Sequence, residues 1–193
     1  MSETHKILAQ DLRAFEVMVE SVAPYLASDA THWAMTGDNI PKKLTLGGCL
    51  MRQERLQRLR SQLAMTDQAR LDKCINAFNA LLANQVVRFE ARAHDELYAR
   101  LREWTSYLNV ATSQAAKKRE YYATVVDTRI VITALITKLS QPPYQLNGRL
   151  EQEVSQMDTR LKGQWQTGEF VLDQIWEKAY SPSEYWWLYG CLK

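Results

Sequence analysis

Apolar side chains recur at Leu8, Leu12, Phe15, Val19, Val22 and Leu26, with spacings of four, three, four, three and four residues. Such spacing returns to one face of a 3.6-residue helix and predicts an amphipathic first helix over about residues 3–27. Pro24 lacks a backbone donor and is expected to bend or end that helix near Ser21 to Ala23. A loop with Gly37, Asp38, Asn39 and Pro41 follows. Thr45 is suited to cap a second helix reaching about Leu63, whose inner positions Leu46, Leu50, Leu56, Leu59 and Leu63 are interrupted only by Gln53.

The next stripe is longer. Leu71, Ile75, Phe78, Leu82, Val86, Phe89, Ala93, Leu97, Leu101, Trp104 and Leu108 keep helical spacing, and no glycine lies between Gly48 and Gly148 nor proline between Pro41 and Pro142. One long third helix, capped by Thr66 with Asp67 in its first turn, is predicted. Tyr122, Val125, Arg129, Ile132, Ile136 and Leu139 define a fourth, separated from the third near Asn109 to Ser113 and stopped before Pro142-Pro143. Asn147 caps a short helix carrying Leu150, Val154, Met157 and Leu161. Ser181-Pro182-Ser183-Glu184 has the form of a capping box with proline at the first helical position, predicting a terminal helix ended by Gly190. The expected fold is therefore all-α. A single domain spans 1–193, with an antiparallel bundle of four main helices, two of them long, in 1–140 and short helices with an aromatic tail in 141–193.

Composition narrows the class. The chain has 193 residues, 46% hydrophobic and 24% charged, the balance of a globular domain with a core. Its longest uncharged apolar run, Ile130 to Thr137, is too short to cross a bilayer, so no membrane partner is expected. The N-terminal residues lack a signal-peptide pattern, and Cys49, Cys74 and Cys191 form no CxxC arrangement. Reduced thiols and a cytoplasmic location are the expectation.

Charge reverses sign at the first loop. Residues 1–41 hold two basic and six acidic side chains (net −4), whereas 42–60 hold six basic and one acidic (net +5). Lys42, Lys43, Arg52, Arg55, Arg58 and Arg60 form a candidate phosphate or nucleic-acid surface, since clustered cations gain affinity through counterion release. The competing expectation is that they face the acidic first helix. Lys117-Lys118-Arg119 is a second basic knot. Gly47-Gly48 offers open backbone amides to an anion, or else close helix packing against a side chain such as Trp33.

Other chemistry is sparse. Glu90 and His94 stand four residues apart on one helical face, a weak candidate metal pair that needs His5 and His32 to supply the missing ligands. No cysteine has a nucleophile motif around it, and no GxSxG or HExxH occurs. Leu44-Thr45-Leu46-Gly47-Gly48-Cys49-Leu50-Met51-Arg52, after a loop with Trp33 and Pro41, resembles the opening of helix two in DinB-like four-helix bundles. The resemblance implies a helical bundle. The metal-binding histidine of that family falls at Arg52, so no ligand is carried over.

Aromatic residues crowd the C-terminal segment: Trp165, Phe170, Trp176, Tyr180, Tyr185, Trp186, Trp187 and Tyr189. They serve either to plug the bundle or, through Trp186, Trp187 and Tyr189, to bind a protein, because tryptophan and tyrosine dominate interface hot spots. Neighbours on a helix project about 100° apart, so one tryptophan is expected to dock and the other to stay partly exposed. The expected function is a non-enzymatic scaffold, adaptor or accessory subunit with a protein partner and no cofactor. The alternatives are a nucleic-acid-binding subunit using the basic helix, and a degenerate DinB-like bundle binding a metal or small ligand.

Overall fold

The computed structural model describes residues 3–30, 33–110 and 119–193. The fold is an all-α bundle with one small two-stranded antiparallel sheet. Its helices are α1 (Glu3–Ala27), α2 (Leu46–Arg58), α3 (Met65–Asn84), α4 (Val86–Val110), α5 (Arg119–Leu139) and α6 (Gly148–Lys162). Strands β1 (Trp165–Phe170) and β2 (Tyr189–Leu192) pair antiparallel, and short 3-10 turns occupy Arg60–Gln62, Gln174–Ala179 and Trp186–Leu188. The chain forms two compact units, Met1–Glu96 and Leu97–Lys193, whose boundary falls within α4.

In the first unit α1 buries the predicted stripe from Leu8 to Leu26, and it runs on through Pro24 to Ala27 instead of ending near Ser21. A proline in the last turn removes only one late hydrogen bond, which costs too little to stop a helix whose face is already buried. Asp11 meets Arg52 and Arg55 of α2, and the Met18 methyl lies 3.4 Å from where a Cβ on Gly48 would stand, so α1 and α2 are antiparallel. Phe15 packs edge-on against Phe78 of α3, with centroids 5.8 Å apart. Thr45 caps α2 by accepting from the Gly48 amide (3.0 Å), but α2 stops at Arg58 and a 3-10 turn completes the path to Leu63. Helix α3 begins two residues earlier than expected, with Ala64 and not Thr66 at its cap.

The single long third helix is two helices. Gln85 leaves helical geometry (φ −129°, ψ 40°) and divides α3 from α4, while Phe78, Leu82 and Phe89 remain buried on either side. Asn84 and the β-branched pair Val86-Val87 are the poorer helix formers at that point. Because the apolar stripe continues across the break, periodicity alone does not reveal it.

In the second unit Tyr98, Thr105 and the Leu108 carbonyl of α4 contact Asn147, Met157 and Arg160 in the same order, so α6 runs parallel to this part of α4. Trp104 and Tyr107 near the end of α4 meet Tyr122 near the start of α5, so those two helix ends pack together. The expected break at Asn109 to Ser113 lies partly outside the described residues: α4 ends at Val110 and α5 begins at Arg119. Asn147 caps α6 through the Arg149 amide, and Leu150, Val154, Met157 and Leu161 are its buried face. The predicted terminal helix is absent. Ser181–Glu184 is a turn, Trp186–Leu188 a single 3-10 turn, and Gly190 sits within β2 at φ +149°. The run Tyr185–Tyr189 has no polar face with which to form a surface helix; Tyr185, Trp187 and Leu188 are buried around the 3-10 turn, and only Tyr189 enters β2.

Candidate functional site

An open cleft of about 430 Å³ lies between the end of α4 and the start of α5. Glu103, Trp104, Ser106, Tyr107 and Val110 line it from α4; Tyr121, Val125 and Thr128 line it from α5. The α5 residues step by four and three and so share one helical face. Trp104 stacks on Tyr107 (centroids 5.2 Å, planes 30° apart), and Tyr121 tilts toward Tyr107 at 6.0 Å. Trp104, Tyr107 and Thr128 are buried, whereas Val110 (48%) and Tyr121 (44%) expose much of their surface. Burial, with the neighbouring Tyr121 phenol, pushes the Tyr107 hydroxyl above its ordinary range and keeps it neutral. Among the described residues of this lining Glu103 is the charged one, and its carboxylate is 3.1 Å from Arg100 Nη1.

These residues were not singled out as a site by the sequence. Trp104 reads as one more position of the apolar stripe, and the signal that could have found the cleft is Tyr121, which falls beside the stripe residue Tyr122. Tyr122 itself points to the core and donates to the Trp187 carbonyl at 2.7 Å.

The C-terminal aromatics divide. Trp187 is 3% exposed, with the Arg129 guanidinium over its ring at 4.0 Å. Trp186 is only half-buried; it meets Trp165 edge-on at 5.9 Å, with Lys162 Nζ 5.0 Å from its centroid. Tyr189 is part-buried against Phe170 and donates to the Tyr180 carbonyl at 2.6 Å. Of the two tryptophans, Trp186 reaches the surface.

The basic set is dispersed over acidic partners. Arg52 Nε is 3.2 Å from Asp11, and Arg55 grips the same carboxylate through Nε (2.7 Å) and Nη2. Arg58 pairs with Glu54 at 2.6 Å and Arg60 with Asp72 at 2.7 Å, leaving Lys42 and Lys43 as exposed loop residues. Lys117, Lys118 and the Arg119 side chain lie outside the described residues. At the start of α2 the Gly47 amide donates to Glu96 Oε2 (3.0 Å) and the Gly48 amide to Thr45. A protein carboxylate thus takes the place an anion would occupy. Thr45 and Met18, not Trp33, crowd Gly48; Trp33 lies edge-on against Tyr25.

His94 donates from Nδ1 to the Glu90 carbonyl at 2.9 Å, so the i, i+4 spacing joins the pair through backbone. His32 lies outside the described residues. Among the described residues no group of three or more His, Cys, Asp or Glu is placed to hold a metal ion. Cys49, Cys74 and Cys191 are free thiols. Burial holds the Cys49 thiol well above its usual pKa and pushes Cys74 up to about 12, which keeps both protonated and unreactive at neutral pH. No helix among the described residues is long and apolar enough to cross a membrane. No protein-family model matches the chain, and neither does any curated protein or solved structure.

Proposed function

We propose that the chain is a non-enzymatic adaptor or accessory subunit of the cytoplasm, and that it binds a partner protein at the α4–α5 cleft. The observation that carries this reading is the pairing of an aromatic concavity with exposed apolar residues, Val110 and Tyr121, on its walls. Aromatic pockets of this kind anchor single side chains of a partner, and such anchors dominate binding energy. The free cysteines support a reducing compartment. Trp186 joins the reading as a second accessible contact. A nucleic-acid function has less support, because four of its six cations are engaged with Asp11, Glu54 and Asp72.

The test is site-specific photocrosslinking in the source cell. A benzoylphenylalanine at Tyr121 should yield one discrete protein adduct that is missing when the probe replaces Met65, which is 87% exposed in the other unit. Tyr121→Ala and Val110→Asp should retain the parental melting temperature and lose co-purification of the same protein. Identical adducts from both probe positions, or undiminished co-purification, reject the reading.

A further inference from the structure

We infer that Asn147-Gly148 is a self-modification site, at which the folded chain loses the Asn147 amide and gains a carboxylate at the cap of α6. Of the six asparagines, Asn147 is the one followed by glycine. Both residues are exposed, and nothing stands within 4 Å of where a Cβ on Gly148 would lie. The Gly148 nitrogen is thus unshielded by a side chain of its own. It belongs to the first residue of α6 and has no acceptor within that helix.

The cap also orients the amide. Asn147 Oδ1 accepts from the Arg149 amide at 3.1 Å, and Nδ2 donates to the Tyr98 hydroxyl at 3.2 Å. The oxygen therefore faces the positive start of the helix, where a backbone N–H stabilises the negative charge it gains as Cγ becomes tetrahedral. In the reaction the Gly148 nitrogen gives its proton to water or hydroxide and bonds to Asn147 Cγ. The Cγ–Nδ2 bond breaks, and that nitrogen takes a proton from solvent and leaves as ammonia. Water then opens the cyclic imide: attack at Cγ gives aspartate, and attack at the main-chain carbonyl gives isoaspartate.

The two products act differently on α6. Aspartate keeps an acceptor for the Arg149 amide and adds negative charge at the positive end of the helix. Isoaspartate routes the main chain through Cβ and Cγ, which lengthens it by a methylene. It also removes the Asn147 carbonyl that accepts from the Leu150 amide at 2.9 Å, at the first buried position of α6. One reaction yields a capped helix and a frayed one.

The experiment incubates the full chain in mildly alkaline buffer, folded and in parallel in urea. Ion exchange and peptide mapping by mass spectrometry follow the products, and enzymatic carboxyl methylation scores isoaspartate. The folded chain should accumulate acidic species whose mass change maps to Asn147, with the other asparagines intact. Gly148→Ala, which has room for its methyl group, should stay folded and suppress them. Asn147→Asp should co-elute with the aspartate product and melt no lower than the parent, and the isoaspartate fraction should melt below it. Amide loss confined to the urea sample would show that the fold protects Asn147 and would overturn the inference. Undiminished loss in Gly148→Ala, or loss spread over the other asparagines, overturns it as well.

Discussion

The Arg129 guanidinium sits 4.0 Å above the Trp187 ring and holds Asp158 of α6 through two bonds, Nε at 3.0 Å and Nη2 at 2.7 Å. A third bond runs from Nη1 to Thr133. One buried cation therefore ties α5 to α6 and to the C-terminal segment at once. Removing one partner of a buried ion pair strands the other charge, so Arg129→Met should cost about 3 kcal/mol or more. Arg129→Lys keeps the charge but not the planar fork and should recover only part of the loss. Urea denaturation followed by near-ultraviolet circular dichroism measures this directly. A parental midpoint for Arg129→Met would mean that the stack and the Asp158 pair contribute nothing to stability.

The same geometry separates Trp187 from Trp186. Trp187→Ala removes a fully packed ring under Arg129 and should cost about 3–5 kcal/mol. Trp186 keeps accessible surface, so Trp186→Ala should cost markedly less and leave a folded protein. Equal losses of melting temperature in the two variants would show that Trp186 is as much a part of the core as its neighbour.

Helix boundaries were legible where a side-chain cap accompanied the apolar stripe, as at Thr45 and Asn147, and illegible where none did, as at Gln85. The C-terminus misled for a related reason. Ser-Pro-Ser-Glu satisfies the local chemistry of a helix start, but five successive bulky residues have nowhere to turn a polar face; Tyr185, Trp187 and Leu188 are buried around a 3-10 turn, and only Tyr189 joins the strand paired with Trp165–Phe170. Arg129 lay in the apolar register of α5 and its position was correctly inward, yet its partners come from 29 and 58 residues away and no local pattern names them. The cleft was hidden for the same reason: Tyr107 and Tyr121 belong to different helices and meet only in the folded chain.

Asp11 is buried and serves two guanidiniums, Arg52 and Arg55, from α1 to α2. Asp11→Asn removes the carboxylate that both guanidiniums share and should destabilise the chain by about 3 kcal/mol. Replacing all three residues together, Asp11→Leu with Arg52→Met and Arg55→Met, should restore part of that loss, because the buried carboxylate and the two guanidiniums that share it are removed together. Chemical denaturation of the single and triple variants provides the comparison. A triple variant no more stable than Asp11→Asn would show that the ion pairs contribute more than the cost of burying them.

The thiols should report burial and alkaline stability together. At pH 8 a disulfide reagent such as Ellman's should label one thiol quickly, the part-exposed Cys191, and reach Cys49 and Cys74 only with unfolding. Cys191→Ser should delete the fast phase. Burial raises the folded-state pKa of Cys49 and Cys74, so their contribution is complete below the unfolded thiol value of about 8.5. Above that value the unfolded chain ionises first and stability falls, by at most about 1.4 kcal/mol per pH unit and per thiol, through about pH 12 for Cys74. The Cys49→Ala, Cys74→Ala double variant should show a shallower decline between pH 8 and 10. Parallel declines would place the titrating groups elsewhere.

Two glycines should respond to alanine with opposite signs. Gly190 adopts φ +149°, and a Cβ there would stand 2.1 Å from the Gln166 carbonyl oxygen and 2.9 Å from Trp165 Nε1. The first of those atoms is backbone of the paired strand and cannot move aside without opening the two-stranded sheet, since Gly190 lies opposite Thr167 in the β1–β2 register. Backbone strain of this kind costs about 1–3 kcal/mol before any loss of packing from Trp165 and Phe170 is added. Gly148 is the first residue of α6, with nothing within 4 Å of a Cβ and no positive φ. There alanine only narrows the unfolded ensemble, so Gly148→Ala should stabilise the chain by about 0.4–1 kcal/mol. For a chain of this size that is an increase of about 1–4 °C in melting temperature, against a larger decrease for Gly190→Ala. Thermal denaturation of the two variants beside the parent measures both signs. If Gly190→Ala melts with the parent, strand β2 does not pair with β1 in solution, and the packing of the C-terminal aromatics around it must be redrawn.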